Sequence, residues 1–543
     1  MKILIINLTR LGDIIQSIGL IRGLKKKYVT CEIDFLAMSS FSDILHNIPE
    51  ISEIICLNDK LLVDEIQNDV WSAFIELYDK IDCLNNKNYD IIINPVISIQ
   101  SSWLSSLIQA KEKRGMIVNS EGEQSVRSNW SAFLLANQHN LGDHSFNLVN
   151  IFSGVGECNF SIEDYSLKPD AESNLYMEDL LTTDFINKRS KKIGLHVGAS
   201  QSNKSWSLES FKKLVIRLCQ NPEYDVILFG GYKETEIKDY FNDIKFRNFH
   251  NWIGKFKLKQ LISAISHTDL FISNDTGPMH IAACTKVPVI NLSLGPVSMW
   301  ETGPYSMDAI VLQANIECHP CSFSYECPHW NCHQKIHPDS VYELTYSVLE
   351  GLPLPALNPD IRYWKSAIDS FNCIHWVPLT KRKITQKELL FEIKRAIWGI
   401  CLFFDLDFSE SIMKQYMHFI ETYYDTDRYD YSEVFARCSV LTENCAQIIN
   451  GLVIISEIPQ NNKNNLDKIK TIWSNVKEQK ELMNSHAQQY SVIYDWFLYL
   501  TFTESQIEVD ELKTLTLKTI LLYKKFSQQL ILFQQSVLKY HIH

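Results

Sequence analysis

The residues Ile3-Leu-Ile-Ile6 form an apolar run with no polar alternation. A strand of this kind is buried on both faces, which is the condition of a strand inside a parallel sheet. It is followed by the polar loop Leu8–Asp13 and then by Ile14, Ile18, Ile21 and Leu24 at helical spacing. The same succession recurs. Strands are expected at Glu32–Leu36, Ile51–Leu57, Tyr89–Asn94 and Arg114–Val118, with a helix around Leu61–Ile81. A second series has strands at Ile193–Val197, Tyr224–Phe229, Phe249–Ile253, Leu270–Ser273 and Val287–Leu292, with helices between them. Alternating strands and helices make a doubly wound parallel sheet. The expectation is an α/β fold with one such domain over residues 1–185, including less regular helices and a linker over about 119–188, and another over 186–350. Ligands bind such sheets at the carboxyl ends of their strands, and two of them enclose a site between them.

One joint in the second series carries the most chemistry. Leu270-Phe-Ile272 ends a strand, and Ser273, Asn274, Asp275, Thr276 and Gly277 are turn and cap residue types. Pro278 suits a first helical turn, so Met279–Cys284 is expected to be helical. Free N–H groups and the helix dipole favour an anion at that point, phosphate above all. His280 would lie one turn in, near the anion. The alternative is an ordinary strand–helix joint, with Asp275 as cap and His280 packed in the core. Other small-residue loops follow their own strands, at Gly198–Trp206 and Gly230-Gly231.

Composition narrows the class. At 543 residues the chain is too long for one core, and about three domains are expected. A net charge of −12 argues against a general nucleic-acid binder, which needs a basic footprint. No secretory pattern follows Met1, and no window of about 20 residues is continuously apolar. A reducing cytoplasm is therefore expected, with the 14 cysteines as thiols or metal ligands. Four of them, Cys318, Cys321, Cys327 and Cys332, are spaced C-x2-C-x5-C-x4-C. That density points to a tetrahedral structural metal, with zinc as the default and iron also suited to sulfur. His319, His329 and His333 are replacement ligands, and free thiols in a short loop are the alternative.

The motifs together resemble glycosyltransferase family 9, the heptosyltransferases. The resemblance rests on Arg10-Leu-Gly-Asp13, the loop from His196 through Lys204-Ser-Trp206, Leu228-Phe-Gly-Gly231 and Asn274-Asp-Thr-Gly-Pro-Met-His280, in that order over residues 1–350. It implies the GT-B fold, two Rossmann-like domains facing across a cleft. It also implies inverting transfer of a heptose from a nucleotide sugar, typically ADP-heptose, to lipopolysaccharide core or, in a subset, to protein. Asp13 is then the base, with Thr9, Arg10 and Gly12 around it on the acceptor side. Its other reading is as cap of a helix from Ile14. Lys204 would neutralise the diphosphate in place of a catalytic metal, with Ser200, Ser202, Thr276, Gly277 and His280 as further donors. Asp275 would bind a sugar hydroxyl or hold the loop, and either Glu234 or Glu236 would accept from a ribose hydroxyl. The four cysteines have a counterpart in a branch that modifies autotransporter proteins, where the cluster binds iron. Lipopolysaccharide enzymes of the family visit the inner membrane face. A different hexosyl donor and a non-catalytic nucleotide-sugar scaffold are the competing readings.

Beyond this body, Ser340-Val-Tyr-Glu343 reads as a capping box and Gly351–Pro359 as a linker. Thr385-Gln-Lys-Glu388 is a second capping box, ahead of an apolar stripe at Leu389, Ile393, Ile397, Ile400 and Phe404. Residues 360–543 are expected to be an all-α domain that docks an acceptor, a partner or a second subunit.

Overall fold

The structure, a computed structural model, describes residues 1–58, 70–138, 145–184, 190–321, 327–405, 409–459, 463–507 and 511–541. Residues 61–69 of the expected Leu61–Ile81 helix, the expected domain limit at 185–186, and residues 508–510 lie outside these. The chain divides into two compact units, one of residues 1–113 and 146–380, the other of 114–145 and 381–543.

The first unit holds both expected α/β sheets. Its N-terminal sheet has β1 (Lys2–Ile6), β2 (Glu32–Met38), β3 (Glu53–Leu57) and β4 (Tyr89–Asn94), in the order β3-β2-β1-β4. All are parallel, with Ile3 opposite both Ile33 and Ile91. Ile3 to Ile6 are fully buried, as a two-face strand requires. The chain leaves through β5 (Ala110–Val118), whose end pairs antiparallel with β6 (Gln124–Val126) in the second unit.

The other sheet contains β7 (Lys191–His196), β8 (Tyr224–Phe229), β9 (Phe249–Asn251), β10 (Leu270–Asn274), β11 (Val289–Ser293) and β12 (Ala309–Ala314). Their order, β12-β11-β10-β7-β8-β9, reverses between β10 and β7. That reversal is the topological switch point, where loops part and leave room for a ligand. The loops after β7 and β10 are the two that the motifs mark.

The expected all-α region begins too early. Ile361–Ile368 (β13) and Ile374–Pro378 (β14) form a hairpin that extends this sheet antiparallel from β12, with Val311 opposite Trp364 and Trp364 opposite Pro378. The signal was present as aromatic and β-branched residues either side of an Asp-Ser-Phe-Asn turn. Asp369 Oδ1 accepts from Phe371 N–H (2.9 Å) and Cys373 N–H (3.0 Å), and Asn372 takes φ +58°. The Ser340 capping box is also corrected. The helix Pro338–Glu350 starts earlier, because Pro338 takes its first position and His337 caps it.

The helical unit comprises Gln386–Phe404, Ser409–Tyr423, Ser432–Glu457, Lys463–Gln488, Ser491–Glu504 and Leu512–Leu538. Its Thr385–Glu388 capping box is formed as expected. It also recruits residues 114–145, so 1–185 is not one domain. The reason lies in the helix Asn129–Asn137, whose residues from Trp130 on are all buried. A helix apolar all round needs partners on several sides. Phe133 meets Trp398 and Trp130 meets Phe403, each at 4.9 Å between ring centres. Ser432–Glu457 is long and apolar enough to cross a membrane (mean hydropathy 1.4). Here it packs between Lys463–Gln488 and Leu512–Leu538, with Cys438, Leu441, Cys445, Ile448 and Leu452 buried.

The hairpin is expected to matter for stability through Trp376, which is buried and donates from Nε1 to Met299 O at 2.9 Å. Trp376→Ala should cost about 3–5 kcal/mol, and Trp376→Phe about 1 kcal/mol. Calorimetry of the variants checks this. An unchanged first transition in Trp376→Ala would mean that the hairpin does not support the sheet.

Candidate active site

The loop after β1 is held from inside. Asn7, fully buried, donates from Nδ2 to Asp13 O (3.1 Å) and to Ser17 Oγ (3.0 Å). Its Oδ1 accepts from Thr9 N–H (3.2 Å) and from the Thr9 hydroxyl. The helix that follows is Leu11–Gln16, three residues earlier than the Ile14 start implied by an Asp13 cap. Asp13 therefore stands in the third helical position. Its Oδ2 accepts from Arg10 N–H at 3.3 Å. This restrains the carboxyl at the helix start and leaves it half-buried.

The loop after β10 meets it. The helix Gly277–Cys284 begins after Thr276, with Pro278 in its first turn. A Cβ on Gly277 would lie 2.6 Å from Leu11 Cδ2, and one on Gly12 would lie 3.0 Å from His280 Cδ2. Two helix starts, one from each sheet, are thus in direct contact through glycines. His280 is buried and packs on Gly12, and its Nδ1 has no hydrogen-bond partner. The alternative of Asp275 as cap is not what forms. Its Oδ2 accepts instead from Thr302 Oγ1 at 2.5 Å.

Asn274, also fully buried, ties this loop to the one after β7. Its Oδ1 accepts from Trp206 N–H (3.0 Å), and its Nδ2 donates to Val197 O (3.3 Å) and Gly198 O (3.2 Å). Lys204 ends the short 3-10 turn Ser202–Lys204. Ser200 Oγ accepts from Arg10 Nη1 at 3.1 Å, linking the two sheets' loops a second time. Ser202 is exposed on the turn. Thr276 Oγ1 lies 3.1 Å from His196 Nδ1.

The two glutamates differ in position. Glu234 Oε2 accepts from Gly231 N–H at 2.6 Å, and a Cβ on Gly198 would fall 1.8 Å from Glu234 Oε1. Its carboxylate fills the angle between the loops after β7 and β8. Glu236 is exposed on the helix Thr235–Tyr240. The sequence reading missed Asn274 as a hub, and missed His196, Glu301 and Thr302. Asn274 left a trace as a polar residue closing an apolar strand, and His196 as the start of a motif loop.

Charge couples these groups. Burial raises the Asp13 carboxyl above the usual aspartate range, against the Thr9 hydrogen bond and the attraction of His280, while Glu301 adds to the rise. Burial lowers His280, opposed by Asp275 and Asp13, and Lys204 lowers it further. Asp13, Asp275, His280, Lys204 and Glu301 therefore share one electrostatic neighbourhood.

The cysteine segment lies behind this site. Cys318 is exposed, Cys321 and Cys327 are half-buried, and Cys332 is buried. Burial raises the Cys321 thiol, and Cys332, Cys327 and Cys318 raise it further by their charge. Cys332 responds in the same way to Cys327 and Cys318. By chemistry alone, four thiols are a donor set that a soft cation would suit. Among the described residues no three His, Cys, Asp or Glu side chains are close enough together to hold a metal ion. His329 is exposed, while His319 is half-buried, its Nε2 is without a hydrogen-bond partner among the described residues, and burial lowers it to about 4. His333 is otherwise engaged, with Nε2 donating to Asn203 O at 3.1 Å. Cys321 N–H donates to Gly295 O at 3.1 Å. Gly295 has φ +60°, and a Cβ there would come within 2.3 Å of Asn203 O. The segment thus braces the turn that carries Lys204.

Residues 81–333 match the profile of glycosyltransferase family 9 (heptosyltransferase). Lipooligosaccharide heptosyltransferase 2 of Campylobacter jejuni is 33% identical over 175 residues, 31% of this chain and 54% of that protein. The chain thus spans about half the length of that relative. Lipopolysaccharide core heptosyltransferase OpsX of Haemophilus influenzae is 26% identical over 291 residues, 53% of this chain and 77% of that protein. Among solved structures, ADP-heptose lps heptosyltransferase II of E. coli aligns with a TM-score of 0.47 and 21% identity, over 65% of this chain and 99% of that one.

The raised Asp13 carboxyl has a consequence for stability. Between the ordinary aspartate value and the raised one, the folded chain binds more protons than the unfolded chain. Stability therefore falls as pH rises through that window, and the penalty is complete above it. Asp13→Asn removes the penalty, so at neutral pH it should melt no lower than wild type, with the difference closing in acid. Melting temperatures of both proteins across pH test this. A variant that melts well below wild type at neutral pH would refute the desolvation argument.

Proposed function

We propose that this chain is a member of glycosyltransferase family 9 and that it transfers a heptose from ADP-heptose to a hydroxyl of a lipopolysaccharide core, with inversion. The observation that carries the proposal is the contact of Gly12 with His280 and of Gly277 with Leu11. It brings a carboxylate from one sheet against an anion-binding helix start from the other. Transfer needs both at one anomeric carbon: a base on the acceptor oxygen and positive charge on the leaving diphosphate.

In this reading Asp13 takes the proton of the acceptor hydroxyl as its oxygen bonds to the anomeric carbon. The bond from that carbon to the diphosphate breaks, and its electron pair leaves with ADP. Lys204 and the N–H groups at the start of Gly277–Cys284 receive the new charge. Burial keeps His280 neutral at physiological pH, where it acts as a hydrogen-bond partner and not as a cation. The raised Asp13 is a stronger base than an exposed aspartate, so the acid limb of the rate profile belongs at higher pH than an ordinary carboxyl would place it. Glu234 is assigned to the ribose hydroxyls, and Asp275 to a sugar hydroxyl with Thr302 orienting it. The names of the relatives favour a lipopolysaccharide acceptor over a protein, and work at the cytoplasmic face of the inner membrane accords with that acceptor.

Cys318, Cys321, Cys327 and Cys332 are assigned to a structural zinc or iron ion. Bound there, the ion would supply the positive charge that relieves repulsion among the thiols and close a loop too short to bury a core. Elemental analysis of purified protein should find about one metal per chain. Cys318→Ser with Cys321→Ser should lose it and lower the melting temperature. Metal-free wild type with unchanged melting would reject the assignment.

The donor is tested by thermal shift with ADP-heptose, UDP-sugars and GDP-sugars, on wild type and Lys204→Ala. At about 100 times the dissociation constant a donor should stabilise wild type by about 2.7 kcal/mol. The gain should be specific to ADP-heptose and lost in Lys204→Ala. Stabilisation by another sugar nucleotide would move the substrate, and no response to any donor would overturn the transfer reaction.

A further inference from the structure

The helix Leu512–Leu538 differs in charge from the rest of the chain. Its 27 residues include Lys513, Lys518, Lys524 and Lys525 and no Asp or Glu, in a protein of net charge −12. One face is core, with Thr516, Ile520, Tyr523, Phe526, Leu530, Phe533 and Val537 buried at spacings of three and four. The opposite face repeats the same spacing at 517, 521, 524, 528, 531, 535 and 538, and all seven residues are exposed. Four of these are large aliphatics: Leu517 is 51% exposed, Leu521 56%, Ile531 40% and Leu538 51%. At 1.5 Å per residue the stripe is about 30 Å long.

Lys524 lies in the stripe, with exposed Lys513 and Lys518 beside it, and none of the three pairs with a carboxylate among the described residues. Lys525 is taken by Asp405 (2.6 Å) and Lys539 by Glu421 (3.1 Å), so neither counts toward the face. The neighbouring Ser432–Glu457 helix exposes Glu433, Glu443 and Glu457. Leu512–Leu538 thus lacks the acidic residues that its neighbour exposes.

We propose that this face docks on an anionic phospholipid bilayer. Its charge is complementary to acidic headgroups, and its residue types favour lipid over protein. Protein interfaces concentrate aromatic residues and arginine at their centres and exclude lysine. This stripe has aliphatics and lysines only, with Gln528 and Gln535 between them. Such a helix lies in the plane of the bilayer surface, with leucine and isoleucine entering the acyl boundary. The lysine stems follow, while their ammonium groups stay among the phosphates. The helix is part of a packed unit, so its buried face remains in the protein and only the exposed stripe engages lipid. The inference stands apart from the transfer reaction and does not depend on it.

Vesicle flotation of the full chain tests it, with phosphatidylcholine alone and with about one third phosphatidylglycerol. Wild type should float with the mixed vesicles, stay behind with phosphatidylcholine, and be released by high salt. Lys513→Gln/Lys518→Gln/Lys524→Gln should bind the mixed vesicles at least about tenfold more weakly, as should Leu517→Ser/Leu521→Ser. The substituted side chains are exposed, and unchanged melting temperatures would show that both variants are folded. Wild type that ignores both vesicles, or variants that bind as well as wild type, would overturn the proposal. So would variants that only change the oligomeric state without vesicles, since the face would then belong to a second copy.

Discussion

Everything at the site depends on how closely two helix starts approach. Gly12 admits the His280 ring and Gly277 admits Leu11, at distances a Cβ would violate. Any side chain at either position would push the two sheets' loops apart. The loop that presents Asp13 would then lose its packing on the His280 ring. Here the glycines are needed for absence of bulk and not for backbone freedom, since neither has a positive φ. The contact also desolvates both titratable groups, so one packing constraint sets geometry and charge together.

Around that contact the protein uses buried amides and indoles as rivets. Asn7 holds the loop that presents Asp13, and Asn274 holds the loops after β7 and β10 to each other. Each satisfies backbone groups that a parallel sheet leaves open where its strands end. A second layer lies behind them. Trp206 Nε1 donates to Ile336 O at 3.0 Å, and His333 reaches Asn203. Trp376 holds Met299, three residues from the Thr302 that engages Asp275. The hairpin and the cysteine segment, neither of which reaches the Asp13–His280 contact, are thus tied to the loops that form the site.

Much of this was legible in advance. The strand runs, the helix start after Thr276 and the four motif loops stand where the periodicity and turn residues put them, because each is a local matter of burial and cap chemistry. The hairpin at 361–378 was read as part of a helical region, since the Pro-rich stretch before it looked like the end of a domain. The helix Asn129–Asn137 falls in the stretch expected to hold helices and a linker, and nothing local to it points to the helical unit. Its partners Trp398 and Phe403 lie more than 260 residues further on, and no local window contains them. Ser340 as a cap failed for a local reason: Pro338, two residues earlier, is the better helix start.

The sequence by itself determined the element types, the switch-point loops and the list of chemical groups, because these follow from side-chain period and from φ, ψ preferences of neighbouring residues. It left Glu234 and Glu236 equivalent, Asp13 as cap or base, and Thr302 and Glu301 unnoticed. Tertiary structure separates them by position alone. Glu234 fills the space above Gly198, Asp13 stands in the third helical position and not at the cap, and Thr302 donates to Asp275. The first and last are contacts between loops from different strands, and a linear pattern carries no information about the angle at which two sheets bring their loops together.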